Sequence, residues 1–204
     1  MITQFQNLVQ IIVIACLVVF GLGRILILKI QNVKVLVLDP QMTKTQMINV
    51  LVFVACFLMW IFESVTHGLS LNIHVPLALL HTTISNHIVI KIVGIIVLIL
   101  GLLFYISAVL SIGKSWRIGI DRKKSGDLVT TGVFSWSRNP IYVALDLLAS
   151  GTLLLQGELI FLILALCIVI TLHVQILQEE KFLIQVHGDD YKQYCTKVGR
   201  YFKF

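Results

Sequence analysis

"IYVALDLLASGTLLLQGELIFLILALCIVITLHVQILQEE", residues 141–180, decides the fold. Its apolar residues form two long blocks, 141–156 and 158–180, parted by Gln156 and Gly157. The alternation a barrel strand needs is absent, and hydrocarbon admits only chains that satisfy their own backbone groups, so both blocks read as membrane helices. Glycine after a polar residue marks a tight connection, which makes the pair a helical hairpin. The first arm is about 24 Å long at 1.5 Å per residue, short of a hydrocarbon core of roughly 30 Å. It crosses only where the bilayer thins or where other protein shelters it.

Outward from the hairpin, similar runs recur at 8–30, 46–66 and 88–112. The chain therefore reads as an all-α polytopic membrane protein of about five transmembrane helices, and its composition agrees: 58% hydrophobic residues, 13% charged, mean hydropathy +0.96. A soluble domain is far more polar. The first run is too long for a signal-peptide core, has no basic segment before it and lacks a small-residue cleavage site, so it counts as a span. Residues 1–112 supply N-terminal helices and 113–204 the half rich in polar groups, in one integrated membrane domain. A further apolar segment, Leu69 to Ile84, carries His74, Pro76 and His81 and reads as an interfacial loop or re-entrant piece. Cys16, Cys56, Cys167 and Cys195 show no metal-binding spacing.

Charge sets the expected orientation. The 24–45 connection holds Arg24, Lys29, Lys34 and Lys44 against Asp39, and the 113–139 connection holds six basic residues against Asp121 and Asp127. The 67–87 connection has no lysine or arginine. The positive-inside rule then places the N-terminus outside and the C-terminus in the cytoplasm, in the cell membrane of a prokaryote or the endoplasmic reticulum of a eukaryote. The net charge of +6 is spread among apolar spans, which suits anionic lipid headgroups and argues against nucleic acid.

Most chemistry-bearing groups fall on that inner side. Arg138, Asn139 and Pro140 open the fourth span, where proline fits the first turn and free N–H groups receive an anion. Glu179 and Glu180 close the fifth span, where two acids oppose the helix dipole and have little structural motive. Against this stands the plain alternative that Arg138 snorkels to phosphate and the acids are simply wet. Asp146 follows Pro140 by about 9 Å along the helix and faces either a polar cavity or a structural partner such as Arg138 or Lys114. His173 and Gln175 pose the same choice on span five. In the tail, Tyr191, Tyr194, Cys195 and Val198 form a helical stripe that serves equally as a pocket wall or an interfacial anchor. His67, His74, His81 and His87 recur at near-seven spacing, but Pro76 interrupts any continuous helix and no tetrahedral ligand set is apparent, so no metal is expected.

Two stretches, "LVTTGVFSWSRNPIY" at 128–142 and "EEKFLIQVHGDDYKQYCTKVGR" at 179–200, together resemble the isoprenylcysteine carboxyl methyltransferase and phospholipid methyltransferase superfamily of membrane enzymes. Its pattern is Leu-Val-x-x-Gly-x-Tyr, then Arg-His-Pro-x-Tyr opening a helix, a Glu-Glu pair, Gly-x-x-Tyr-x-x-Tyr and a late Val-x-Arg. The upstream "GKSWRIGID" at 113–121 looks like bacterial members of unknown substrate. The resemblance implies S-adenosylmethionine as cofactor, with Gly126, Asp127, Leu128 and Val129 lining it together with Phe134. Asn139, Pro140, Ile141 and Tyr142 would form the helix-entry contact, and Glu179 would meet a polar cofactor group. Four positions depart from the pattern: Asn139 replaces histidine, Phe134 replaces tyrosine, Lys203 replaces a proline, and Gln175 stands where the isoprenylcysteine branch has an arginine for its acceptor carboxylate. A neutral amide grips a carboxylate more weakly than a guanidinium fork, which argues against a prenylcysteine acceptor.

The expected activity is transfer of a sulfonium methyl group to a lipophilic acceptor, at carboxyl oxygen, nitrogen or sulfur. Arg138, Glu180 and Gln175 are the candidate catalytic residues, with Arg200 and Tyr191 behind them, and an amine acceptor would also require a base such as Glu180, His173 or Asp146. Two rivals are a nicotinamide-dependent membrane reductase of sterol-reductase type and a non-catalytic membrane protein. Membrane lipids and the lipophilic acceptor are the expected partners.

Overall fold

The computed structural model describes residues 2–33, 42–71, 73–115 and 127–202. Five helices carry the chain: α1 (Ile2–Ile30), α2 (Lys44–Gly68), α3 (Ile88–Ile112), α4 (Pro140–Gln156) and α5 (Leu159–Lys197). Among them α1, α2, α3 and α5 are long and apolar enough to cross a membrane, and α4 is a shorter apolar helix. The protein is an integral, multi-pass, all-α membrane protein. Val19, Leu26, Leu58, Leu100, Leu103 and Ile170 are exposed on helix surfaces, where lipid tails replace the protein neighbours a soluble core would supply.

Local chemistry explains the helix ends. Thr43 opens α2 with a capping box: its hydroxyl accepts from the Gln46 N–H at 3.2 Å, and the Gln46 side chain accepts from the Thr43 N–H at 2.8 Å. Helix α3 keeps the bounds expected from hydropathy. Helix α5 runs well past residue 180, and Gly188 interrupts it with φ 53° and ψ −123°, a conformation that glycine adopts without a Cβ clash.

Short α4 is sheltered by protein, chiefly by α3, its most extensive partner. Small residues let the two backbones approach: a Cβ on Gly94 would sit 2.7 Å from the Leu155 nitrogen, and one on Gly151 would sit 2.9 Å from the Leu98 nitrogen. Ala144, Leu148, Ala149 and Leu155 of α4 then join Leu98, Phe161, Leu164 and Ile168 in the main core. Helix α2 packs on α5, and α1 on α2 and α3. Gln156 donates to Gln10, tying α4 to α1 inside the apolar bundle.

The α4–α5 connection is a tight hairpin at Gly157 (φ 65°, ψ 28°), whose N–H bonds the Leu153 carbonyl at 2.7 Å. The 69–87 segment folds over it as a loop with one 3-10 turn, Ala78–His81. Ile84 and Ser85 both donate to the Gly157 carbonyl, at 2.6 and 3.1 Å, and Leu159 donates to the Thr82 carbonyl at 3.1 Å. One consequence departs from the sequence expectation. Pro76 does break any helix through the histidines, but the chain doubles back at the break, so His67, His74 and His81 gather with Glu63 in one cluster. His87 only opens α3, without a side-chain cap bond.

Candidate active site

The start of α4 and the far half of α5 meet at the opposite end of the bundle from that loop, and Glu180 is where they join. Arg138 reaches it from the threshold of α4, Nη2 to Oε1 at 3.2 Å, and Asn139 donates Nδ2 to the same oxygen at 3.1 Å. Arg200 returns from the tail to donate Nε and Nη2 to Oε2, at 3.0 and 2.9 Å. Glu180 and Arg138 are almost enclosed, with side chains 9% and 11% exposed. Two guanidinium groups thus share one carboxylate. Arg138 Nε is buried with no partner among the described residues. Such a donor suits an anionic ligand group.

The neighbouring acid, Glu179, is held separately. The Tyr142 hydroxyl donates to its Oε1 at 2.5 Å and Gln175 Nε2 to the same atom at 3.1 Å. Residues 138–142 of one helix entrance therefore address both members of the acid pair: Arg138 and Asn139 take Glu180, and Tyr142 takes Glu179. Pro140 begins α4, setting the backbone of the first turn without requiring an N–H. Ile141 packs on the main core.

The tail locks this entrance in place. Arg138 N–H bonds the Gly199 carbonyl at 3.1 Å, and the Arg200 carbonyl accepts from Ser137 at 3.3 Å and from Asn139 at 3.1 Å. Tyr194 donates to the Phe134 carbonyl at 2.5 Å. Tyr191, Tyr194 and Val198 form a buried cluster with Leu128, Leu183 and Cys195 against it, so the tail stripe is a packed wall and not an exposed anchor. His173 Nδ1 lies 2.5 Å from the Tyr201 hydroxyl. Burial, and then the charge of nearby Asp146, push that hydroxyl above its ordinary range. Asp146 Oδ1 is buried and has no partner among the described residues, so the pairing with Arg138 entertained from sequence does not form.

The residues expected to act together are therefore largely assembled. Arg138, Asn139 and Arg200 gather on Glu180, Tyr142 and Gln175 gather on the adjacent Glu179, and Leu128 and Phe134 both meet Tyr194. Val129 is half-buried nearby in the chain, Asp127 is exposed, and Gly126 lies outside the described residues. Sequence reasoning ranked Arg200 second, yet its side chain holds Glu180 and its carbonyl holds Asn139. Ser137 and Tyr201 were missed. The glycine ahead of Arg200 in a late Val-Gly-Arg run was the available signal for the former contact, and nothing in the sequence marked Tyr201.

A family model covers much of this part of the chain. Residues 89–190 match the family model described as phospholipid methyltransferase, a range that takes in α3, α4 and most of α5. Protein-S-isoprenylcysteine O-methyltransferase of Saccharomyces cerevisiae is 36% identical over 111 residues, covering 53% of this chain and 46% of that protein. The enzyme of the same name from Schizosaccharomyces pombe is 34% identical over 95 residues, covering 45% of this chain and 40% of that protein. The matched region spans less than half the length of either relative, both of which are fungal and lend no support to the bacterial likeness read from residues 113–121. With half the chain matched, and with the matched half containing both ends of the Arg138–Glu180 link, this protein belongs to the phospholipid methyltransferase family.

Proposed function

We propose that the protein is an S-adenosylmethionine-dependent methyltransferase that methylates a lipophilic acceptor, with a carboxylate oxygen as the acceptor atom. The observation that carries this reading is the split acid pair: Glu180 between Arg138 and Arg200, and Glu179 between Tyr142 and Gln175, side by side at one end of the bundle.

The residues fit the cofactor's chemistry. It is a zwitterion with a sulfonium, so it needs donors for its carboxylate, an acid for its amino group or hydroxyls, and aromatic faces near its positive centre. Arg138 Nε supplies an unspent donor and Asp146 Oδ1 an unspent acceptor, both buried. Glu179 and Tyr142 supply the carboxylate and the ring, and Asp127, Leu128, Val129 and Phe134 the adjoining wall. When bound, the cofactor would supply an electrophilic methyl group on a positively charged sulfur, with a neutral thioether as the leaving group.

An ionised carboxylate needs no general base, so this chain's work is positioning and desolvation. Arg138 and Arg200 hold the polar end of the site against Glu180, while α4 and α5 present apolar surface to the acceptor's tail. The fungal relatives' named activity makes carboxyl oxygen the first acceptor atom to test. Gln175, already engaged with Glu179, provides no guanidinium for an acceptor carboxylate, so the grip on that group would come from elsewhere in the site. The inner side of the membrane is the proposed face for the site, with the N-terminus outside.

Calorimetric titration of the purified full-length protein tests the pocket. Wild type should bind S-adenosylmethionine and not NADPH, and Arg138→Ala and Glu179→Gln should each bind at least about tenfold more weakly, the usual cost of a lost charged hydrogen bond. Unchanged affinity in both variants rejects the assignment, and NADPH binding in place of the methyl donor returns the reductase reading. Lipid extracts incubated with methyl-labelled cofactor then reveal the acceptor.

A further inference from the structure

A second constellation lies at the other end of the bundle, where the end of α2, the 69–87 loop and the start of α5 converge. Each of Glu63, His67, His74 and His81 offers one ligand atom, and these atoms lie within 4.8 Å of one another. Glu63 is fully buried, and the three imidazoles are partly exposed. Glu158, the residue before α5, joins them: its carboxylate lies 3.1 Å from His67 Nε2 and 3.1 Å from His81 Nδ1. The proposed methyl-transfer site uses none of these residues.

The hydrogen-bond pattern fixes which ring nitrogens face the space between them. His67 Nδ1 is 2.8 Å from the Glu63 carbonyl, so that nitrogen carries the proton and Nε2 presents a lone pair. His81 Nε2 is 3.3 Å from the Val75 carbonyl, which leaves the lone pair on Nδ1. Both lone pairs then point at the Glu158 carboxylate, and His74 Nδ1 points at Glu63 Oε2, 3.3 Å away. Acceptors facing acceptors repel unless something positive sits between them. Protonating all three rings would place three cations with centroids only 4.7 to 6.0 Å apart. One divalent cation instead neutralises both carboxylates and receives the ring lone pairs without that repulsion. Backbone carbonyls fixing the far nitrogens of ligating histidines are the usual outer support of such sites.

Spacing agrees. Tetrahedral ligands about 2.1 Å from zinc stand roughly 3.4 Å from one another. Glu63 Oε2 lies 3.3 Å from His74 Nδ1, and Glu158 Oε2 lies 3.1 Å from both His67 Nε2 and His81 Nδ1, so closing on an ion needs only side-chain adjustment. Imidazole and carboxylate donors without thiolate favour zinc or a similar first-row divalent ion over calcium or magnesium.

We propose that Glu63, His67, His74 and His81, with Glu158 at the edge, form a zinc-type metal site that clips the 69–87 loop onto the α4–α5 hairpin. The loop already pairs with that hairpin through Gly157 and Thr82, so the ion would fasten a contact that exists. Its place is structural and lies about 33 Å along α5 from Glu180, at 1.5 Å per residue.

The test uses full-length protein purified in detergent through a tag without histidine. Metal analysis should find one zinc per chain, removable by chelation and restored by added zinc, while magnesium and calcium do not replace it. Zinc X-ray absorption should show a nitrogen and oxygen shell at about 2.0–2.1 Å with imidazole outer scattering and no sulfur. His74→Ala with His81→Ala should bind zinc at least about tenfold more weakly, a floor set by what loss of an outer-shell partner alone costs. The melting temperature should fall on chelation in wild type but not in the double variant. A wild-type chain that takes up no zinc, or a variant that keeps its full equivalent, overturns the proposal and leaves a proton-shared histidine–glutamate network. The wild-type stoichiometry and absorption spectrum decide the matter even if the variant fails to fold, and neither depends on methyl transfer.

Discussion

At the scale of single residues, Glu179 and Glu180 are adjacent in sequence but do opposite kinds of work. Glu180 neutralises Arg138 and Arg200 in a nearly enclosed setting, so removing it strands charge. Glu180→Ala should therefore cost about 3–5 kcal/mol, the price of breaking one side of a buried pair, and lower the melting temperature by roughly 6–20 °C. Glu179→Gln keeps an oxygen for Tyr142 and Gln175, so its stability should stay within about 1 kcal/mol of wild type while cofactor affinity falls. Thermal unfolding in detergent, read beside the calorimetric titration, separates the two. If both variants unfold alike, Glu179 is structural too. The acid pair and Arg138 were legible because a charge at the end of an apolar run has little structural motive. The carbonyls of Gly199 and Arg200 were not, because every residue has a carbonyl and only the fold aims one.

Helices were legible wherever apolarity alone defines them, and α3 shows this best. The far part of α5 was not, since after residue 180 it is held by the Tyr191–Tyr194–Val198 face and no longer by hydrocarbon. The short fourth span carried a correct hint, in that a helix too short for the bilayer needs protein around it, but the sequence did not say which helix shelters it. Gly94, Gly101 and Gly151 do so by letting α3 touch α4. Gly151→Ala would push a methyl to 2.9 Å from the Leu98 nitrogen, a backbone atom that cannot swing aside, and should destabilise by about 1–3 kcal/mol. Gly23→Ala on α1 meets nothing within 4 Å and should leave stability unchanged or raise it by about 0.5–1 kcal/mol through helix propensity. Melting temperatures of the pair test whether glycine acts here by closeness. Because α4 also carries Tyr142 and follows directly on Arg138, Gly151→Ala should weaken cofactor binding without touching the pocket. Equal melting of the two variants would dismiss the packing argument.

The whole molecule is a bundle with two dissimilar polar ends. Arg138, Glu179, Glu180 and Arg200 occupy one, while Glu63, Glu158 and three histidines occupy the other. Basic residues crowd the connections at the first end and are missing from the loop at the second, so the membrane's charge rule should orient the bundle with the Glu180 end inward. The sequence disclosed this polarity but not the histidine cluster, because near-seven spacing in a broken helix gives no contact until Pro76 and Gly157 turn the chain back. Asn86 in the loop and Asp190 beyond Gly188 are both exposed and report the two ends. In a Cys195→Ser background, Asn86→Cys should react with a membrane-impermeant maleimide on intact cells, and Asp190→Cys only after permeabilisation. Cys16, exposed halfway along α1, should stay unlabelled because hydrocarbon excludes the reagent. The reverse pattern would invert the orientation while preserving the bundle. Labelling of both positions from one side would mean that α3, α4 and α5 do not cross an odd number of times, and short α4 would then be sheltered within one leaflet instead of passing through both.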